Sequence, residues 1–263
     1  MTGSSTPRAL VVTYHAVEAG HGPLFLEPDA FAAHLDVLED LGATAVTVSE
    51  LARQVADRSL RPRTVALTFD DGIASVVRTA APLLAERGMR ATVFCVAGHL
   101  GGRSDWPSAA PDAPALQLAG ADELARLARS GWEIGCHGMV HAPLVSGEPG
   151  LLERELVEAK RLLEERLEVS VDAYAYPYGA LPGPAALRAV RQHYASAWTT
   201  AIGLAREGLD VHRLPRVDAH YLRRPALLRA AIAGTLRPYL GARRLGARAR
   251  RTVRRDYVVE PRR

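Results

Sequence analysis

An alternation narrows the fold of this chain most. Short apolar runs, several rich in β-branched residues, alternate with longer stretches whose apolar positions recur at helical spacing. That order belongs to β/α chains rather than to all-helical or all-strand ones. Ala9–Tyr14, Thr44–Val48, Thr64–Phe69, Ala91–Ala97, Trp132–Cys136, Asp172–Tyr176 and Ala195–Thr199 read as strands, and Leu214–Val217 is a last short apolar stretch. Between them, Pro28–Leu41 places Phe31, Leu35, Leu38 and Leu41 on one helical face. Glu50–Ala56 (N-capped by Ser49), Ile73–Arg87 (stopped by Gly88), Asp122–Ser130 (closed by Gly131), Leu151–Glu168, Ala185–Tyr194 and Pro225–Leu236 read as helices. Residues 98–120, rich in Gly, Pro, Ser and Asp, read as a long loop of the kind that carries function.

The chain's 263 residues suffice for one large α/β domain, and no internal repeat or low-complexity linker interrupts it before about residue 237. The expected organisation is a domain over 1–236 and an Arg-rich extension over 237–263. Charge supports the division. Residues 237–263 hold ten Arg against Asp256 and Glu260, a net +8, whereas the whole chain carries only +4 and the preceding 236 residues therefore sum to −4. No apolar run approaches the ~20 residues of a membrane span. Met1–Pro7 lacks a basic segment followed by an apolar one, so a cytoplasmic location is the expectation. Two cysteines, Cys95 and Cys136, make no disulfide framework and read as buried thiols.

Three polar clusters each follow directly on a strand: Asp70-Asp71-Gly72, His137 to His141, and Pro177-Tyr178-Gly179. In barrel-like α/β folds the C-terminal strand ends converge, so clusters far apart in sequence can meet. The His pair is four residues apart, a spacing that puts two imidazoles on one face of a helical turn. One carboxylate, most naturally Asp71, would complete a two-His, one-carboxylate metal set with positions open to water and substrate. If strand geometry persists, Asp70 points the other way and is free to act as a base. Cys136 adjoins His137, but strand alternation turns it to the opposite side. His21, His34, His99 and His193 have no partner pattern. Trp106, in the long loop, is a candidate to stack on a sugar face, and Trp198 reads as core.

Thr68-Phe69-Asp70-Asp71-Gly72, His137-Gly138-Met139-Val140-His141 and Ala175-Tyr176-Pro177-Tyr178-Gly179, in that order, resemble the three signatures of the polysaccharide deacetylases, the NodB homology domain of carbohydrate esterase family 4. The resemblance covers roughly residues 9–220. It implies a distorted (β/α) barrel and a divalent metal, usually Zn2+, on Asp71, His137 and His141. It further implies Asp70 as general base and the backbone N–H of Tyr178 as an oxyanion donor.

Departures from the pattern matter. Gly138 stands where the second signature has Ser or Thr, and Ala175 where the third has an Arg that orients the catalytic Asp. Arg216 is the candidate to replace that guanidinium, with Arg213 behind it. The late Leu-x-His that supplies a general acid is not evident. His212 and His220 lack its context, whereas Tyr14-His15 resembles the branch of the family in which the acid His opens the domain. His15 is therefore the expected proton donor.

The expected activity is hydrolysis of an N-acetyl group on an amino-sugar or glycan substrate, releasing acetate. Hydrolysis of another linear or cyclic amide, and a degraded glycan-binding module, remain as alternatives. For the Arg-rich extension three readings stand. It could rest on an anionic membrane surface, placing the protein at the inner face of the membrane; it could bind nucleic acid without sequence specificity; or it could be a solubilising end.

Overall fold

The computed structural model describes residues 7–109, 113–145, 148–180, 182–236, 238–243 and 245. Of the basic extension, 238–243 and 245 are among these residues, and the readings of the remainder lie outside them. Along the chain run β1 (Arg8–Tyr14), β2 (Ala16–Val17), β3 (Phe25–Leu26), α1 (Pro28–Asp40), β4 (Thr44–Val46), α2 (Val48–Ala56) and β5 (Thr64–Phe69). Then come α3 (Ala81–Ala85), β6 (Thr92–Cys95), α4 (Ala121–Arg129), β7 (Glu133–Cys136), α5 (Pro149–Leu152) and α6 (Ala159–Leu167). The chain continues through β8 (Ala173–Ala175), α7 (Pro184–His193), β9 (Ser196–Trp198), β10 (Ala205–Arg206), β11 (Val217–Asp218) and α8 (Pro225–Ile232).

The sheet order is β10-β1-β5-β6-β7-β8-β9, with β4 also on β5 and β11 also on β1. All pairings are parallel except β10 on β1. Leu214 bridges to Trp198 of β9, and three residues later β11 pairs with β1. This short segment thereby spans the two sides of the curled sheet, and Arg216 sits within it. The fold is the distorted (β/α) barrel that the alternation and the motifs imply.

Side chains alternate across the curl, as the strand period requires. Leu10, Val12 and Tyr14 of β1 and Val65, Leu67 and Phe69 of β5 join the core under the helices. Ala9, Val11, Ala66, Phe94, Ala175 and Trp198 fill the interior. Trp198 is core, as read from the sequence. α2 covers the N-terminal end: Val48 N–H donates to Thr92 Oγ1 at 3.1 Å, and Ser49 Oγ donates to Glu133 at 2.5 Å. The opposite end stays open, and there the polar clusters gather.

Some local expectations are corrected. Thr47, not Ser49, caps α2, because the Ser49 hydroxyl is taken by Glu133. Ile73–Arg87 and Leu151–Glu168 are not uniform α-helices: Val76–Ala80 and Glu153–Glu158 are π-helical turns. A π turn widens the helix by one residue and often marks a functional site. The helix read over Pro225–Leu236 ends at Ile232, with Gly234 at φ +76° behind it, and a further helical stretch follows over 238–243. The long loop folds back on itself, Arg103 pairing with Gln117 and Leu118 with Ile73.

Candidate active site

β5 delivers Asp70 and Asp71, β7 delivers His137, and the loop after β7 delivers His141; all four are buried. Asp71 Oδ1 lies 3.5 Å from His137 Nε2 and 3.4 Å from His141 Nε2, and the two Nε2 atoms are 3.2 Å apart. One ligand atom from each residue falls within a 4.8 Å cluster, a spread that a single small cation can bridge.

Other observations fit a cation there. Asp71 Oδ1 is buried without a hydrogen-bond donor, although a carboxylate oxygen needs positive charge or donors. Burial lifts the Asp71 carboxyl above its ordinary pKa, against the pull of His15 and His137. Burial, then the charge of His137, holds His141 well below the usual imidazole value, so it is a neutral, ligand-competent ring. His137 Nδ1 sits 2.8 Å from the Ala175 carbonyl and donates to it, leaving Nε2 free to ligate.

Two expectations about this geometry are overturned. The two Asp side chains do not diverge. Asp71 adopts φ +72° and Gly72 φ +73°, so strand geometry ends at Asp70 and the alternation rule no longer applies. Asp70 Oδ2 consequently comes within 3.9 Å of His137 Nε2. Nor do His137 and His141 share a helical turn. Gly138 has φ +88° and His141 φ +58°, and the segment is an irregular loop. A left-handed backbone at a histidine is strained, so tertiary contacts must hold it.

What separates the two carboxylates is their partners. Arg216 Nη1 and Nη2 donate to Asp70 Oδ1 and Oδ2 at 2.6 and 2.8 Å, a two-pronged buried pair. Arg216 is 1% exposed and is further fixed by Thr68 Oγ1, the Thr199 carbonyl and the Phe94 ring. Burial pushes the Asp70 carboxyl up. The charges of Arg216 and His137 and the guanidinium hydrogen bonds outweigh it, and the group stays ionised well below the usual carboxylate range. Arg213 is exposed and Ala175 is buried in the barrel interior.

Among the candidate acids, His15 directly follows β1, and its charge lowers the pKa of both Asp70 and Asp71. His212 is engaged elsewhere, with Nε2 2.9 Å from the Tyr194 carbonyl. His220 is exposed, stacks edge-on with Tyr221 and shares with His15 a shallow pocket closed by Pro23, Leu24 and Asp218. Cys136 packs with the core under the helices, away from His137, and burial pushes its thiol up to about 12.

Trp106 is only 6% exposed, its ring 4.5 Å from that of His141. Tyr178 meets the His141 ring edge-on at 4.5 Å but remains 48% exposed, so Tyr178 is the aromatic surface open to solvent at the rim. Its backbone is left-handed, φ +57°. The Tyr178 hydroxyl donates to the Ser108 carbonyl at 2.7 Å, and Ser108 Oγ donates to the His141 carbonyl at 2.9 Å. Ser108 and a buried glutamate, Glu155, support the loop that carries His141, and neither was legible in the sequence. Glu155 lies in a run of charged helical residues, and Ser108 in a loop with no pattern.

A buried Asp/His/His cluster beside an ionised, Arg-held carboxylate at the open end of a (β/α) barrel defines a hydrolase-type centre. The sequence model of the family described as polysaccharide deacetylase matches residues 57–197. The chain belongs to the polysaccharide deacetylase family, a family of hydrolytic deacetylases. It is 24% identical over 208 residues to YxkH of Bacillus subtilis, a polysaccharide deacetylase by name, covering 79% of this chain and 70% of that one. Among solved structures, IcaB from Ammonifex degensii superposes with a TM-score of 0.73 at 25% identity, over 85% of this chain and 98% of its own. The Streptococcus pyogenes deacetylase PplD, solved with acetate, superposes with a TM-score of 0.69 at 23% identity, over 81% and 93% of the two chains.

Proposed function

We propose that the protein is a metal-dependent hydrolase that removes an N-acetyl group from an amino-sugar residue of a glycan, releasing acetate and a free amine. The observation that carries this reading is the division of labour between adjacent carboxylates. Asp71 Oδ1 faces two imidazole nitrogens and has no donor, whereas Asp70 is locked by Arg216. Asp71, His137 and His141 would hold a divalent cation, Zn2+ by the chemistry of the donor set, which when bound polarises the acetyl carbonyl and acidifies water.

The chain's own groups supply the proton transfers. Asp70, kept ionised by Arg216, takes a proton from the attacking water as its oxygen bonds to the carbonyl carbon. The backbone N–H of Tyr178 donates to the oxygen that gains charge. His15 protonates the nitrogen as the C–N bond breaks, giving a neutral amine and acetic acid, which ionises to acetate; the proton taken by Asp70 then restores His15. The exposed ring of Tyr178 offers the sugar a face, while Trp106 packs behind His141 and fixes its plane. Arg216 also speaks against a degraded binding module, because the guanidinium missing at Ala175 is replaced in contact with Asp70.

The test is acetate release from a panel of N-acetylated amino sugars and their oligomers. Zn2+-loaded protein should release acetate, and chelator-treated protein and Asp70→Asn should not. Turnover that survives chelation, or an Asp70→Asn variant with normal turnover, would sink the reading.

A further inference from the structure

The loop that carries the two histidines has no regular hydrogen-bond ladder of its own, yet many of its backbone groups are engaged from neighbouring elements. The carbonyls of Gly138 and Met139 accept from Ala97 and Gly98 N–H, both at 2.9 Å. On the other side, the N–H groups of Met139, Val140 and Ala142 converge on one atom, Glu155 Oε2, at 2.9, 3.2 and 3.3 Å. Glu155 is fully buried in the π-helical turn Glu153–Glu158, with Arg154 Nε 3.2 Å from its other oxygen. Gly138 makes this approach possible: a Cβ there would stand 2.5 Å from Glu155 Oε2. The missing side chain at residue 138 and the buried carboxylate are thus two halves of one arrangement.

We infer that Glu155 is a positioning residue for the metal centre, holding His137 and His141 in ligating geometry through the backbone of the loop between them. It touches no reacting atom. A charged acceptor receiving three N–H donors is a strong, directional anchor. It grips the backbone on both sides of His141, at residues 139, 140 and 142, and so offsets the strain of that residue's left-handed conformation. Outer contacts of this kind typically change metal affinity by about tenfold to a hundredfold when removed.

The inference rests on the metal-binding reading above, and its test separates the two. Wild type, Glu155→Gln and Glu155→Ala are compared by Zn2+ affinity in a chelator competition and by hydrogen exchange at amides 139, 140 and 142 in metal-free protein. The expected order is graded: affinity falls about tenfold or more in Glu155→Ala and less in Glu155→Gln, which keeps one acceptor oxygen. Loop amides exchange faster in the same order. A lowered melting temperature with wild-type affinity and wild-type loop exchange would reduce Glu155 to a structural residue and overturn the inference. Should Glu155→Ala fail to fold, Glu155→Gln decides, since unchanged affinity and exchange in that variant overturn it equally. If wild type itself binds no divalent metal, the functional reading fails, while exchange at the loop amides still judges whether Glu155 holds the loop.

Discussion

Replacing Arg216 with Met isolates what the guanidinium does. Met keeps an apolar stem of similar girth but not the guanidinium, and the pair it disrupts is enclosed: Asp70 and Arg216 are both buried and share two short hydrogen bonds. Removing one partner of such a pair leaves an uncompensated charge, which costs about 3–5 kcal/mol. Against the roughly 5–15 kcal/mol that holds a domain together, that is a large fraction. The carboxyl can escape part of this penalty by taking up a proton. At about 1.4 kcal/mol per pKa unit, the lost interaction corresponds to an upward shift of roughly two to four units, because burial still raises the pKa and only His137 and His15 remain to oppose it.

The sign follows from linkage. In wild type the folded carboxyl lies below its unfolded value, so its stabilisation is present above the unfolded pKa and is lost as pH falls through the folded one. In Arg216→Met the folded pKa rises to or beyond the unfolded value, so that stabilisation is absent and protonation as pH falls relieves the unpaired charge instead. Urea unfolding of the metal-free protein near neutral pH should show the penalty. The double variant Arg216→Met/Asp70→Asn should recover most of it, since no charge is left unpaired. On the active enzyme, the acid limb of kcat/KM should move up by about two units or more, with Arg216→Lys intermediate because it keeps the charge but not the fork. A single variant within about 1 kcal/mol of wild type, with an unmoved acid limb, would refute the claim that Arg216 keeps Asp70 ionised.

The other expected outcomes concern neighbouring parts of the site. His15→Ala should keep its metal content and lose most turnover, by about a hundredfold or more; near-normal turnover assigns the acid elsewhere. Cys136→Ala should retain Zn2+ binding, because the thiol faces the helices and reaches the loop only through the Gly138 N–H at 3.3 Å; complete loss of binding in chelator competition would make it a ligand. Gly179→Ala should lose about 2 kcal/mol or more, since residue 179 has φ +59° and a Cβ there would overlap the Thr200 side chain. Thermal unfolding reads that loss, and wild-type stability would mean the Tyr178 turn is free to relax.

The legible parts of the molecule were those governed by local rules. β5 runs over Thr64–Phe69 as read, because a β-branched apolar run bounded by Asp-Asp-Gly leaves the chain little choice. Cys136 and His137 part ways as the strand period demands. The same rule misleads one strand away. At Asp71 the backbone leaves the β region, and a rule that holds only inside a strand sent the two carboxylates apart when they converge. The helical spacing of the two histidines misleads for the same reason, since spacing describes a helix only where backbone hydrogen bonds form one.

What decides the site instead is tertiary and has no local mark. Arg216 reaches Asp70 across 146 residues because the segment bridging β9 and β1 carries it inward. Glu155 reads as one more charge on a charged helix, and only a π turn and an absent Cβ at Gly138 turn it into the acceptor for three loop amides. Both cases have one logic. A small residue at a motif position, Ala175 or Gly138, removes a group from its usual place, and a buried charge from a distant element stands nearby. A departure from a motif is therefore a pointer to where compensation must be sought, and at each of these two positions a charge-assisted contact is found.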